Sequence, residues 1–597
     1  MKQSSRKEAN SFQIKEPDAP VRWNRLDVLL LCTLLLVYGI LSFVHLGERS
    51  APQTFIRHNK NDEIVITLDQ PAEVAKVNFF RGQTITDYDV FYSLDGQQWQ
   101  QASGEKNTNV FQWVSQPIGA EAQYIKLVPQ ENNKAYLYEI GVFDGQERLL
   151  PIQSVTGCET PQNLMDEQNL VPALPTYENG TYFDEIYHAR TAYENVHRIE
   201  PTETSHPPLG KLFIALGTVI FGMNPFGWRF MGNLFGIFMI FAIYLLARRL
   251  LKKTWFAFIA AFLLTFDFMH FTQTRIATID SYPVVFILLS YYFMYCFYAG
   301  NYQKNGLRQP LLALLCSGIF FGLACASKWT GIYSGIGLAA IFFVHMAGRL
   351  REYLRAKRYG GTLAKEVVRT YGKRTITILL SCVAFFVVIP TAIYLASYIP
   401  FRFIEGHPYT FGEIIDYQKN MFSYHNKLQQ SHPYASMWYT WPIMYKPMWY
   451  YYQDLGSGQI STISCFGNPA VWWVGLVAFF GCLFTALKKR DGKAWFLVLA
   501  VLSQIVPWMP IARVLFIYHY FACTPFLMIM TAYMLQQVYG DLQTDKAKKR
   551  FAVVCGVYLG IVLLLFILFY PVISGMPVAR DYVANVLRWF ESWVFYL

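Results

Sequence analysis

Apolar runs of about 20 residues recur along most of this chain, and no other feature restricts its fold as strongly. They occupy 26–45, 229–247, 255–270, 282–298, 311–326, 332–345, 376–398, 471–487, 495–508, 521–538 and 551–570. A soluble body of 597 residues needs more surface charge than the 15% present against 54% hydrophobic residues. The expected class is a mainly α, polytopic membrane protein of about 11 transmembrane helices. The net charge of +11 does not point to nucleic acid. Its basic residues cluster between runs, at Arg248-Arg249 with Lys252-Lys253, Arg349 to Lys357, Lys488 to Arg490 and Lys546 to Arg550. Such clusters mark cytoplasmic loops.

Sidedness follows from these clusters. Residues 1–25 read as a cytoplasmic tail, because no small-residue cleavage site follows the first run and Arg22 and Arg25 precede it. The first helix, 26–45, then runs outward. Residues 51–150 alternate apolar and polar positions, as in Glu63 to Leu68, Tyr88 to Ser93 and Tyr124 to Val128, with turns at Asp95-Gly96 and Asp144-Gly145. That period of two predicts an external β-sandwich inserted after the first helix. Residues 151–227 form an external catalytic loop. Within it Leu212 to Gly222 is apolar but too short to cross, and reads as an interfacial or re-entrant helix. Helices 2–7 fill 228–400, an aromatic-rich external loop 401–469, helices 8–11 470–572, and an external tail 573–597.

The unusual polar residues all fall on the external side. Tyr182-Phe-Asp-Glu-Ile-Tyr-His188 carries the adjacent carboxylates Asp184 and Glu185. A carboxylate can take the proton of a hydroxyl attacking an activated sugar; a solvated loop pair is the plainer reading. Ser205-His-Pro-Pro-Leu-Gly-Lys211 places Lys211 behind a stiff corner, as a phosphate partner or a snorkelling side chain. His206 lacks any partner at metal-ligand spacing. Arg275 and Asp280 share the next external turn, Arg229 opens a span on the same side, and Lys328 turns between two spans. Arg229 could pair with an acid of the Asp184-Glu185 pair. Arg513, Tyr518, His519 and Tyr520 sit at the outer end of another span, where tyrosines are usually belt residues. That side lies away from ATP and nucleotide-sugar pools, so a synthetic reaction there needs a substrate that arrives already activated, and a lipid-phosphate carrier fits that requirement.

Two resemblances add to this reading. Val90-Phe-Tyr-Ser-Leu-Asp-Gly-Gln-Gln-Trp99, with Ala122 to Leu127 and Leu137 to Val142, resembles a discoidin-like carbohydrate-binding sandwich. That likeness implies a possible glycan ligand, a structural spacer being the alternative. Phe183-Asp-Glu185, His206 to Lys211, Arg275 to Asp280, Ala326 to Gly331, Ser431 to Ser436, Phe466-Gly-Asn-Pro469 and Tyr518-His-Tyr520 together resemble the protein O-mannosyltransferase family of GT-C membrane glycosyltransferases. The resemblance implies inverting transfer of a sugar, typically mannose, from a polyprenyl-phosphate carrier to Ser or Thr hydroxyls of proteins. It puts the base on Asp184 or Glu185, Asp184 first. It makes Lys211 and Arg275 phosphate partners; beside it, Arg229 and Arg513 are further phosphate candidates, and His206, Asp280, Lys328, Tyr518, His519 and Tyr520 candidate supporting residues. No metal or cofactor is implied. The 401–469 loop is too short for the β-trefoil of eukaryotic members, so the chain looks bacterial, resident in the cytoplasmic membrane. Transfer to a lipid or cell-wall glycan, and a lipid or sugar transporter, are the rival readings. Most of the ten cysteines read as packing residues of the apolar runs; Cys158 and Cys465 fall in external loops, where a disulfide between them is the less favoured alternative.

Overall fold

The computed structural model describes residues 12–59, 62–103, 109–130, 135–427 and 431–596. Among these, eight helices are long and apolar enough to cross a membrane: Arg25–Phe43, Pro225–Leu251, Ser281–Tyr298, Arg308–Ser327, Gly331–Ala356, Thr362–Phe403, Pro469–Lys489 and Asp545–Ser574. A bent pair, Thr254–Thr265 and Phe268–Arg275, passes the same test jointly and makes nine if it is one span. The other two expected spans are the short Gly492–Trp508 helix and Thr524–Asp541.

Side chains from two distant segments meet at the 57° bend in that pair. Asp267 caps the second helix by accepting from His270 N (3.2 Å), and also accepts from Asn468 N (3.1 Å) and Trp472 Nε1 (2.9 Å). Asn468 in turn donates to the Phe266 and Val562 carbonyls at 3.1 and 3.0 Å. Carboxylate and carboxamide thus satisfy backbone groups that the break exposes, which an apolar environment requires. Asn468, within the 466–469 motif, therefore ties the break to Asp545–Ser574. Elsewhere, Thr362–Phe403 loosens into a π-turn over Ala384–Val388 just before Pro390, which has no N–H to donate. Gly318 and Gly322 let Arg308–Ser327 approach that turn so closely that any Cβ would strike the Phe385 carbonyl or Pro390.

Arg248, read from sequence as a topology signal, is buried. It donates to Asp27 at 2.7 and 3.1 Å, and Tyr244 donates to the same carboxylate at 2.8 Å. The first helix is clamped to Pro225–Leu251 through this group.

The sandwich strands are β1 (Ile56–His58), β2 (Ile64–Arg81), β3 (Tyr88–Ser93), β4 (Gln100–Gln101), β5 (Gln112–Pro129), β6 (Ala135–Phe143) and β7 (Ile152–Thr156). They pair in the order β1-β6-β2-β5-β3-β4, all antiparallel, with β7 also on β2. The domain runs six residues past its expected end at 150. Val77 and Phe79 face its own core, whereas their neighbour Phe80 joins the core of the helical body together with Phe111, Trp113 and Tyr138. The domain is docked onto the helices through a second apolar face.

The short run after the acidic pair forms Leu209–Phe221, whose 13 residues span about 20 Å, less than the ~30 Å of hydrocarbon. Leu216, Val219, Ile220 and Phe221 leave its apolar face exposed. Within the aromatic loop, β8 (Met448–Gly456) and β9 (Gln459–Cys465) form a hairpin, and β10 (Val578–Ala579) of the C-terminal region adds to it. Trp593 is fully buried and donates to the Met444 carbonyl at 2.8 Å. Cys158 and Cys465 are free, Cys465 lying in the helical core and Cys158 against the sandwich core.

Candidate active site

Asp184 precedes the helix Glu185–Val196, and Phe183 before it takes a left-handed backbone, φ 50°. A non-glycine residue in that region costs about 1 kcal/mol or more, so the surroundings must hold it. They do so by stacking the Phe183 ring on Tyr450, centroids 4.3 Å apart. The result turns two adjacent carboxylates in different directions.

Glu185 points inward and is fully buried. It accepts from Arg229 Nε and Nη2 (2.8 and 2.7 Å), Ala277 N (2.9 Å), Trp228 Nε1 (3.3 Å) and Tyr182 N (3.3 Å). Arg229 also donates to the Leu46 and Gly180 carbonyls. Asp184 instead lines a cavity of about 650 Å³. Its neighbours there include Glu203, His206, Asp280, Lys328, Arg513, Tyr518 and His519. A second cavity, about 720 Å³, shares His206, Lys328 and Arg513 with it and continues past Trp329, Tyr333 and Trp508.

Three carboxylates face the first cavity, and two are matched by a cation. Asp280 accepts from Lys328 at 2.7 Å, and Glu203 accepts from Lys211 at 2.6 Å. Burial alone would raise the Glu203 pKa, but Lys211 and His206 hold it well below the usual carboxylate range. Asp184 has no side-chain hydrogen bond or ion pair among the described residues. Burial pushes its pKa from 3.8 to about 7, with Asp280 adding to the rise, Lys328 opposing it and Glu203 contributing less. His188 and His425 are lowered to about 3 and 4, mainly by burial, and burial lowers His206 too. The histidines are therefore neutral near pH 7.

The expected phosphate partners divide. Lys211, Arg229 and Arg275 do not reach the cavity. Lys211 is fully buried on Glu203, the Glu203 carbonyl and Tyr417. Arg275 donates to the carbonyls of Ser42, Val44, His45 and Ser574. All three are expected from the sequence as phosphate partners, and the structure instead engages most of their donors inside the fold, apart from the cavity. Glu185 is likewise turned away from the cavity, and Arg229 pairs with it. Arg513 lines both cavities, is half-buried, and has no hydrogen bond or ion pair among the described residues. Lys328 lines both as well. Of the supporting residues, His206, Asp280, Tyr518 and His519 line the first cavity, His519 stacked between Tyr518 and Trp441. Tyr520 does not; it packs on Trp472 and Trp441 in the core.

Sequence reasoning missed Glu203, Tyr424 and His425. Glu203 had a signal, an acid eight residues before a lysine that needed a partner. Tyr424 and His425 had none, because they arrive from the Phe411–Lys427 helix. The described group of three carboxylates close enough to share a cation is Glu139 of β6 with Asp166 and Glu167, outside the cavity.

Residues 217–402 match the family model for dolichyl-phosphate-mannose-protein mannosyltransferase. Residues 410–593 match the C-terminal four TMM region of protein-O-mannosyltransferase, and 52–140 the F5/8 type C domain. A polyprenol-phosphate-mannose--protein mannosyltransferase of Mycobacterium tuberculosis is 26% identical over 468 residues, covering 69% of this chain and 86% of the relative. One from Corynebacterium glutamicum is 28% identical over 444 residues, covering 65% and 81%. The solved Saccharomyces cerevisiae protein O-mannosyltransferase complex bound to the sugar donor superposes with a TM-score of 0.58 at 14% identity, covering 70% of this chain and 89% of that one.

Proposed function

The chain belongs to the protein O-mannosyltransferase family, as a bacterial-type member with a discoidin-like domain, and from that premise we propose how its cavity performs the transfer. The enzyme moves mannose from a polyprenyl-phosphate carrier to a Ser or Thr hydroxyl of a protein. The observation that carries the mechanism is the difference among the cavity carboxylates. Asp280 and Glu203 are each held by a lysine, and Asp184 is held by none. An acid without a bonded cation, with a pKa near working pH, is the one able to take a proton.

The acceptor hydroxyl attacks the anomeric carbon while Asp184 removes its proton. The bond from that carbon to the phosphate oxygen breaks on the opposite face, inverting the centre, and polyprenyl phosphate leaves. Lys328 and Arg513 are the cations placed to stabilise the charge that develops on the phosphate. Lys328 does so while sharing itself with Asp280. Arg513 has its whole fork to offer, and a guanidinium suits two phosphate oxygens at once.

The basic clusters between spans favour a cytoplasmic-membrane protein with this cavity on the outer face. The exposed apolar face of Leu209–Phe221 beside it supports a carrier chain lying in the membrane while its head group enters. Membranes carrying the chain, given labelled polyprenyl-phosphate mannose and a Ser/Thr peptide, test the reading. Hexose on the peptide hydroxyl by mass spectrometry is expected. Label entering only lipid or glycan overturns it in favour of the rival acceptor class.

A further inference from the structure

A further recess, of about 520 Å³, lies at the other end of the spans from the Asp184 cavity. The helix Ser281–Tyr298 connects the two, Asp280 lining the cavity before its first residue and Tyr298 lining the recess at its last. Its rise over that length is about 27 Å. Three acids line the recess, and each is committed. Asp18 pairs with Lys252 and accepts from Tyr295 Oη at 3.1 Å. Glu16 accepts from Lys304 at 2.6 Å. Asp491 caps the Gly492–Trp508 helix, accepting from Lys493 N and Ala494 N at 2.8 Å. The cations in the lining have more to offer. Lys15 and Arg351 are exposed, and their side chains make no hydrogen bond or ion pair among the described residues. Lys493 Nζ donates to the Leu250 carbonyl at 2.8 Å. Arg349 and His345 line the recess too, each 5% exposed. Arg349 lies 2.9 Å from Glu352, and its Nε is buried with no hydrogen-bond partner among the described residues. His345 Nδ1 donates to the Tyr298 carbonyl at 3.1 Å, and its Nε2 is buried and likewise without a partner. An apolar groove of about 740 Å³ adjoins the recess and shares Tyr298, Val344, Arg351 and Gly492 with it. Ile341, Leu487, Trp495, Phe496 and Leu499 line this groove, from the Gly331–Ala356, Pro469–Lys489 and Gly492–Trp508 helices, and Arg490 lines it as well.

We propose that recess and groove together hold one anionic phospholipid of the leaflet opposite the Asp184 cavity, its phosphate on Arg349, Arg351 and Lys15 and an acyl chain in the groove. Charge complementarity selects the head group. The lining acids are already neutralised, so the unmatched guanidinium and ammonium donors call for an anion, and phosphate oxygens suit them. The groove selects a lipid over free phosphate, because only an acyl chain covers its apolar wall. Basic pockets between spanning helices recognise lipid head groups in this way. His345 adds a preference within the class. With Nδ1 donating, a neutral ring leaves Nε2 as an acceptor, which suits a head-group hydroxyl. A glycerol head group presents that hydroxyl beside its phosphate. The occupant also meets the N-terminal segment, which is fastened here: Lys15 N donates to Glu352 at 3.1 Å, Asn301 Nδ2 to the Lys15 carbonyl at 2.9 Å and Asp18 N to the Ala299 carbonyl at 2.7 Å. A lipid bridging this segment and three helices binds the folded chain alone and therefore stabilises it.

The full-length protein, stripped of lipid in detergent, tests this. It is melted with added dioleoyl phosphatidylglycerol, dioleoyl phosphatidylcholine or inorganic phosphate at equal concentration, and bound lipid is counted by native mass spectrometry. Phosphatidylglycerol is expected to raise the melting temperature by several degrees and to stay bound at one per chain, and the other two to do neither. Arg351→Glu changes an exposed side chain and should weaken phosphatidylglycerol retention about fivefold or more. Val344→Trp, which narrows the groove from an exposed position, should weaken it as well. Lys549→Glu, exposed in another basic cluster and outside both recess and groove, should leave it unchanged. Equal protection by phosphatidylcholine overturns the proposal, since the cations then select nothing. Protection by inorganic phosphate alone overturns the lipid in favour of a free anion. Retention in both Arg351→Glu and Val344→Trp equal to that of the intact protein overturns the site itself.

Discussion

Glu185 accepts five hydrogen bonds inside the fold, two of them from Arg229, whereas the adjacent Asp184 carboxyl accepts none. The two acids should therefore fail differently when changed. Asp184→Asn is expected to keep the fold and lower transfer by about 10²-fold or more, read in the labelled-donor assay. The ionised form is the base, so transfer by the unaltered enzyme should rise as pH passes through about 7. Stability moves the other way. A carboxyl raised from 3.8 to about 7 contributes stability that is fully present below 3.8 and lost as pH climbs through 7. Asp184→Asn should then melt no lower than the unaltered protein at pH 8, with the gap in its favour widening from pH 5 to pH 8. A lower melting temperature at pH 8 would contradict the desolvated carboxyl. Glu185→Gln should instead strand Arg229 in the interior and cost about 3–5 kcal/mol, seen as a large drop in melting temperature in detergent. Retained stability there would mean the pair is dispensable. The motif around 182–188 was readable as a site, but the division of labour was not. Adjacent residues point apart, and only Phe183's left-handed turn and the position of Arg229 decide which acid goes inward.

Among the helices, the close approach of Arg308–Ser327 to the π-turn at Ala384–Val388 is one of the tight constraints on side-chain size. Gly318→Leu must drive a side chain into the Phe385 carbonyl and should cost about 1–3 kcal/mol, whereas Gly348→Ala, with open space around it, should leave melting unchanged. Equal effects would show that the helix pair yields more easily than the geometry implies. The spans themselves were legible, since about 20 apolar residues can do little but cross. The bend at Asp267 was not. Its cause is Asn468, 201 residues away in the chain, so no local pattern announces it. Lys211 shows the same limit at shorter range. A lysine after Pro-Pro looked like a headgroup ligand, and the 200–208 turn brings Glu203 back to neutralise it.

Across the whole molecule, Phe80, Phe111, Trp113 and Tyr138 of the sandwich belong to the same apolar cluster as the spanning helices. Such a shared core couples the two parts, and thermal unfolding monitored by aromatic fluorescence should show the sandwich and the body melting in one transition. A sandwich that unfolds separately at lower temperature would mean that this face is a loose contact. By itself the sequence determined membrane residence, the β insertion, the family and the neighbourhood of the acidic pair. Each of these depends on composition, period or local spacing, which the chain carries in order. Tertiary structure alone decided which charges are tied inside the fold and which stand at the cavity. A side chain's availability depends on partners from distant segments, and it was those partners that engaged Lys211, Arg229, Arg275 and Glu185 and left Asp184, Lys328 and Arg513 at the cavity.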